Sequence, residues 1–157
     1  QTPAVIDSEK FEVARQTANE AVFKKSSSLK NASGAEFTFE IERAVALLGV
    51  DAIEKHLGIE VPEGVKTVAY ESRNALKNTG TGEWTKEGGL LSVWILSMFK
   101  HSKTTRVVVP YDASASGRIV KDDYFGKVPA DRLIDKNGFL VFRCDGEMRT
   151  KIGLAPA

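Results

Sequence analysis

The sequence predicts an all-β protein built as an antiparallel β-sandwich. Residues 37–41 alternate apolar and polar side chains strictly, which is typical of a half-buried strand. Clusters of glycine, asparagine, aspartate and serine recur along the chain and separate short strand-like segments. A continuous apolar run at residues 90–99, between Gly88-Gly89 and a basic turn, predicts a central strand covered on both faces.

The first elements along the chain form a predicted three-strand meander between residues 10 and 47. Apolar and polar residues begin to alternate at 11–13 and again at 21–23, and the third strand contains 37–41. Turn-forming residues at 18–20 and 31–34 separate these strands.

One short helix is predicted next, near residues 51–58. Asp51 is expected to cap its N-terminus, and Gly58 stands where a C-terminal cap belongs. Further strands are predicted at residues 65–77, 106–110, 133–134, 139–143 and 149–154. Asn137-Gly138 and Asp145-Gly146 are expected to turn the chain between the last of these.

The run at 90–99 is ambiguous, because a continuous apolar segment fits a buried strand or a buried helix. Its Val, Ile, Trp and Phe residues suit a pleated surface, and its predicted neighbours are strands. We therefore predict a strand, with Trp94 in the core. The run is too short to span a bilayer, which takes about 20 helical residues.

Composition excludes several classes of function. The chain has 22 Lys and Arg against 21 Asp and Glu, a formal net charge of +1, which argues against a nucleic-acid partner. Cys144 is the only cysteine, so no intramolecular disulfide or thiolate metal cluster is expected. Sequence motifs for cofactors and metals are absent, and none is predicted. The first residues show no signal peptide, which leaves the compartment open, including a periplasmic or secreted location.

Five segments between residues 65 and 154 carry a recognisable pattern. They are VAYES at 68–72, EWT at 83–85, GLLSVWIL at 89–96, DYFGKVPADRL at 123–133 and KIGL at 151–154. They resemble a family of uncharacterised bacterial proteins related to the galactose-mutarotase-like (aldose 1-epimerase-like) β-supersandwich. The resemblance implies a sugar-related function. It also implies that residues 1–157 are one sandwich domain or part of a longer supersandwich.

The resemblance does not extend to catalytic residues. Aldose mutarotases use a histidine as general acid and a glutamate as general base, which suits proton transfer at a hemiacetal. This chain has only His56 and His101, and neither lies in a motif that matches the mutarotase histidines. No catalytic residue is therefore assigned.

Six residues are candidates for binding a mono- or oligosaccharide. Glu71, on a predicted strand, would accept sugar hydroxyl protons, or would pair with a neighbouring basic group. Trp84 offers a ring for stacking against a sugar, with Glu87 nearby, or anchors its loop to the sandwich. The others, Arg143, Arg149 and Lys151, are expected on adjacent strands, where they would bind ligand or form cross-strand ion pairs.

Three functions follow as hypotheses. The first is a carbohydrate-recognising β-sandwich of mutarotase-like type. The second is a non-catalytic structural or protein-interaction domain. The third is an aldose epimerase-type enzyme that uses Glu71 or Glu87 with catalytic residues partly outside this chain. The oligomeric state is left open.

Overall fold

In a computed structural model, the structure describes residues 2–136 and 138–155. The chain divides into two compact units, residues 1–95 and 96–157. Among the described residues, strands make up 37% and helices 8%, and the pairings between these strands are antiparallel, so the predicted all-β, sandwich-like class is confirmed. The prediction of one sandwich domain stays a prediction.

The first unit contains two short helices and a four-stranded sheet. Its elements are α1 (Ala4–Asp7), β1 (Glu12–Gln16), β2 (Glu20–Lys30), β3 (Glu36–Leu48), α2 (Val50–Leu57) and β4 (Ala69–Asn78). The strands lie in the order β1-β2-β3-β4, so each pairs with its neighbour along the chain. The predicted meander over residues 10–47 is therefore confirmed.

Alternation along β3 directs its large side chains to one face. Phe37 and Phe39 lie two residues apart and are both buried, with Phe39 only 1% exposed. Val22 and Ala44 are opposite each other on β2 and β3 and are buried as well. Ala44 is an odd number of residues from Phe39 along an uninterrupted ladder, so the Val22–Ala44 pair is buried on the opposite face of the sheet from the two phenylalanines.

The helix α2 confirms one predicted cap and corrects the other. Gly58 follows the helix in the left-handed conformation, at φ +66°, and its N–H donates to the carbonyl of Glu54. The N-cap is Gly49, so Asp51 lies inside the first turn and does not cap the helix. The sequence did not predict α1, a single turn of helix.

The second unit contains two small sheets. Its strands are β5 (Arg106–Pro110), β6 (Val120–Lys121), β7 (Leu133–Lys136), β8 (Phe139–Arg143) and β9 (Gly153–Leu154). One sheet has the order β5-β8-β7, and β6 pairs with β9. Leu140, on the central β8, is fully buried. In the predicted Asn137-Gly138 turn, Asn137 lies outside the described residues.

The prediction of a central strand at residues 90–99 is wrong. This segment is irregular, and its large apolar side chains are exposed, including Trp94 at 67% and Met98 at 88%. A central strand needs a hydrogen-bonded neighbour on each side. The strands that precede and follow this run pair elsewhere, β4 with β3 and β5 with β8.

Two predicted strands are shorter in the structure. β4 begins at Ala69 instead of residue 65, because its partner β3 ends at Leu48, where the Leu48–Ala69 pair closes the ladder. Within residues 149–154 only Gly153 and Leu154 form a strand, β9. β9 pairs with β6 and not with β8, so Arg149 and Lys151 do not lie on a strand beside Arg143.

Candidate functional site

Trp84 lines a surface cavity in the first unit. The cavity has a volume of about 320 Å³ and lies between the start of β3 and the loop after β4. The indole is half-buried and meets the buried ring of Phe37 edge to face, with ring centroids 5.8 Å apart and planes at 71°. Trp84 therefore contacts the core from its loop and also borders open space. The loop-anchor interpretation fits this contact, and stacking against a sugar stays a prediction.

Hydrogen bonds within the loop hold Trp84 in place. Asn78 accepts from the N–H of Gly80 at 3.0 Å and donates to the carbonyl of Gly82 at 2.8 Å. The Oγ1 of Thr85 accepts from the N–H of Gly88 at 3.0 Å. Asn31, in the turn before β3, donates to the carbonyl of Gly88 at 3.0 Å. These bonds tie the loop to the sheet on both sides of Trp84.

Gly89 allows the Trp84 loop to approach the sheet closely. Its φ of +110° lies in the region that favours glycine. A Cβ at this position would lie 2.9 Å from Nδ2 of Asn31 and 3.1 Å from Cζ of Phe37. The loop therefore approaches the sheet as closely as a glycine allows.

Acidic and hydroxyl groups share the cavity with Trp84. Glu36 and Thr38 come from β3, and Glu83 directly precedes the tryptophan. Glu36 lies 3.9 Å from Nζ of Lys30, whereas Glu83 makes no ion pair or hydrogen bond within the described residues. Carboxylates and hydroxyls beside an aromatic ring form a set of acceptors and donors suited to a polyhydroxylated ligand.

The structure does not bring Glu71 or Glu87 into this cavity. Glu71, half-buried on β4, lies 3.4 Å from Nη1 of Arg73. Arg73 in turn pairs with Glu20 of β2, across the intervening strand β3. Glu71 thus fits the alternative interpretation, a residue of an ion-pair network on the sheet. Glu87 is exposed in the Trp84 loop but is not among the residues that line the cavity.

Arg143 belongs to a charge cluster in the second unit. Asp145 is buried, and its Oδ1 accepts from Nη1 of Arg132 at 2.6 Å and from the N–H of Glu147 at 3.0 Å. Arg132 also donates to Glu147 at 3.0 Å, and Nε of Arg143 lies 2.8 Å from Oδ2 of Asp145. The bond from Arg132 is the main cause that lowers the pKa of Asp145 to about 2. Arg143 therefore makes an ion pair with Asp145, as one of its two predicted alternatives had it, although the pair does not cross between strands.

Arg149 and Lys151 lie in a different cluster, on aromatic rings. The Cζ of Arg149 is 4.1 Å from the ring centroid of Phe125, and Nζ of Lys151 is 3.9 Å from that of Tyr124. The predicted set of three basic residues is thus divided: Arg143 pairs with carboxylates, whereas Arg149 and Lys151 contact rings.

A comparison with known protein families finds a family that matches the chain. All of residues 1–157 match a family of unknown function, DUF6786. The chain belongs to this DUF6786 family. No curated protein and no solved structure matches the chain.

Sequence reasoning missed three residues of these clusters in the DUF6786 chain. Arg132 gave no local signal, because its partner Asp145 lies thirteen residues further along. Tyr124 and Phe125 did carry one, since two adjacent aromatic residues in a charged loop are unusual for a merely solvated turn. The sequence predicted a solvated loop for this segment.

Neither a metal-binding group nor a histidine forms a further candidate site among the described residues. Within residues 2–136 and 138–155, no group of three or more His, Cys, Asp or Glu side chains is placed to bind a metal. His56 is exposed near the end of α2. The ring of His101 lies against Gly146, where an added Cβ would come within 2.7 Å of it. Among the described helices, none has the length and apolarity to cross a bilayer.

Proposed function

We propose that this DUF6786 member is a carbohydrate-recognising protein whose sugar-binding site is the Trp84 cavity. The observation that carries the proposal is the half-buried indole of Trp84 beside a cavity of about 320 Å³. Ligand pockets in proteins measure about 300–1,000 Å³. The cavity is thus at the small end of this range, which suits a monosaccharide or the terminal unit of a chain.

The chemistry of the lining supports a sugar ligand. A pyranose presents a face of C–H groups that packs on an indole, and a rim of hydroxyls that needs donors and acceptors. Trp84 provides the apolar surface, held by Phe37. Glu83 and Glu36 provide acceptors for the hydroxyls, and Thr38 provides a hydroxyl of its own.

Binding without catalysis is the form of this function that the residues support. Ring opening at a hemiacetal needs an acid and a base on the same bound sugar. Neither His56 nor His101 lines the Trp84 cavity. Glu71, the carboxylate considered for a catalytic role, lies beside Arg73 and outside the cavity.

Saturation-transfer NMR with a panel of hexoses and pentoses tests the proposal. We expect transfer to at least one sugar from the native protein and loss of that transfer in Trp84→Ala. Trp94→Ala is the matched control, because Trp94 is the other tryptophan, is exposed and does not line the cavity. It should leave the transfer unchanged.

A milder variant separates ligand binding from folding. Glu83→Gln removes a charge from an exposed residue that makes no ion pair within the described part of the chain, so the fold should be preserved. We expect weaker sugar binding with an unchanged circular dichroism spectrum. The proposal is wrong if no sugar shows transfer, or if Trp84→Ala binds as the native protein does.

The exposed run at residues 90–99 supports a second candidate function, a protein-interaction domain. Val93, Trp94, Met98 and Phe99 are each more than half exposed. Large exposed apolar side chains that follow closely along the chain are a common feature of interaction segments. If this segment binds another polypeptide, a Trp94→Ser, Met98→Ser variant should abolish that association in light scattering. Retained association would exclude this segment as the interface.

A further inference from the structure

Two adjacent aromatic rings are exposed on the second unit. Tyr124 and Phe125 lie in a turn in which the N–H of Gly126 donates to the carbonyl of Asp123 at 3.2 Å. The rings meet edge to face, with centroids 4.7 Å apart and planes at 87°. Tyr124 is 69% exposed, so a large part of the residue is open to solvent.

A cation lies over each ring. The Cζ of Arg149 is 4.1 Å from the ring centroid of Phe125, and Nζ of Lys151 is 3.9 Å from that of Tyr124. The pairing of β6 with β9 brings the segment that follows β6 close to the segment that precedes β9. Cation–π attraction favours both contacts.

Arg149 keeps its N–H donors available. The Cζ of its guanidinium lies 4.1 Å from the ring centroid of Phe125, and within the described residues the group has no carboxylate in ion-pair range and no hydrogen bond. A guanidinium carries five N–H donors in a planar fork that matches a carboxylate. A cation fixed in this way gives up less side-chain entropy on binding than a mobile one.

The acidic residues nearby already have partners. Asp122 is buried and accepts from Lys127 at 2.5 Å and from Arg118 at 3.1 Å, and the first of these bonds is the main cause that lowers its pKa. Asp123 lies 2.9 Å from Arg118. The positive charge of Arg149 is therefore not matched by any carboxylate of its own cluster.

We propose that Arg149, Tyr124 and Phe125 form a binding site for the carboxylate of a sugar acid. The guanidinium of Arg149 binds the carboxylate, Lys151 adds positive charge, and the exposed face of Tyr124 packs against the sugar ring. The sugar part of this ligand rests on the proposed carbohydrate function. The carboxylate part follows from the exposed guanidinium over Phe125, which has no ion-pair partner within the described residues, and does not depend on the Trp84 cavity.

A single negative charge suits this site better than a nucleic-acid strand. Binding of single strands uses a positive groove that follows several phosphates. Here the cations in contact with the rings, within the described residues, are Arg149 and Lys151, and the chain has a net charge of only +1. Two cations do not form a groove that follows several phosphates, so we expect a ligand with one anionic group.

Backbone amide NMR of the full chain tests the proposal with galacturonate, galactose, acetate and a short single-stranded oligonucleotide. We expect saturable shifts at residues 123–126 and 149–151 with galacturonate, and much weaker ones with galactose or acetate. Arg149→Gln should weaken galacturonate binding about tenfold or more, because it removes a charged bidentate contact. Arg43→Gln is the matched control: Arg43 is exposed on β3 and makes no ion pair within the described residues.

Phe125→Leu gives an independent test, because it removes the ring under Arg149 and leaves the charge. We expect weaker galacturonate binding, with the amide spectrum unchanged away from residue 125. The proposal is wrong if galacturonate gives no saturable shift, if acetate or the oligonucleotide binds as well, or if Arg149→Gln binds as Arg43→Gln does. Failure of the Trp84 site would appear separately, as loss of neutral-sugar binding with the shifts at 123–126 intact.

Discussion

Nη1 of Arg132 donates to Oδ1 of Asp145 at 2.6 Å, and both residues are buried. The second oxygen of Asp145 faces Nε of Arg143 at 2.8 Å without the alignment of a hydrogen bond. One carboxylate thus lies between two arginines at the end of β8. Removing one partner of a buried ion pair leaves the other charge unpaired and is strongly destabilising. We therefore expect the fold of the second unit around the end of β8 to depend on this contact.

We predict that Asp145 makes the stability of the protein depend on pH in the acidic range. Its pKa is about 2 in the folded chain against an ordinary value of 3.8, so folding favours the charged form. The contribution of Asp145 to the free energy of unfolding is fully present above pH 3.8 and is lost as the pH falls through 2. Urea unfolding midpoints measured between pH 5 and pH 2 should fall steadily across this window.

Asp145→Asn provides the comparison for this prediction. The variant should be less stable than the native protein at pH 7 and should lose less stability between pH 5 and pH 2. Asp131→Asn is the control, because Asp131 is exposed and lies 3.9 Å from Nη1 of Arg143. An Asp145→Asn profile parallel to that of the native protein would show that another carboxylate carries the acid dependence.

Local sequence signals predicted the parts of the fold whose partners are close along the chain. The meander β1-β2-β3 follows from alternation within each strand and turn residues between them, as at Asn31, whose side chain accepts from the N–H groups of Ser33 and Ala35. Gly58 ended α2 as predicted because a left-handed cap is a local requirement. The run at 90–99 failed because a strand needs partner strands, which composition does not specify.

The same distinction applies to the candidate site. Trp84 was predicted from its own loop, and the structure adds Phe37 and the cavity. The contact of Arg149 with Phe125 joins two residues that lie far apart along the chain, and no local pattern contains it. The sequence suggested basic residues on adjacent strands, which was wrong for Arg149 and Lys151.

The exposure of the apolar run at residues 90–99 can be tested by substituting one buried and one exposed phenylalanine. Phe39 is 1% exposed and Phe99 is 56% exposed. Phe39→Ala should lower the free energy of unfolding by about 3–5 kcal/mol, as for other buried phenylalanines. Phe99→Ala should change it by about 0.5 kcal/mol or less, as at other exposed positions. If the run were a buried central strand, both variants would be severely destabilised in chemical denaturation.

Gly89→Ala is expected to loosen the Trp84 loop. The substitution places a methyl group 2.9 Å from Nδ2 of Asn31 and 3.1 Å from Cζ of Phe37, at a φ of +110°. Gly117→Ala is the matched control, because Gly117 has a φ of +91° and no atom within 4 Å of an added Cβ.

Both variants carry the cost of a side chain at positive φ, about 1–2 kcal/mol. Gly89→Ala should cost about 1–3 kcal/mol more, because overpacking displaces Asn31 or the ring of Phe37. In a Trp94→Phe background, Gly89→Ala should also shift the emission of Trp84 to longer wavelength, since the indole would lose contact with Phe37. Equal stability of the two variants, with unchanged emission, would show that the loop does not depend on this close approach.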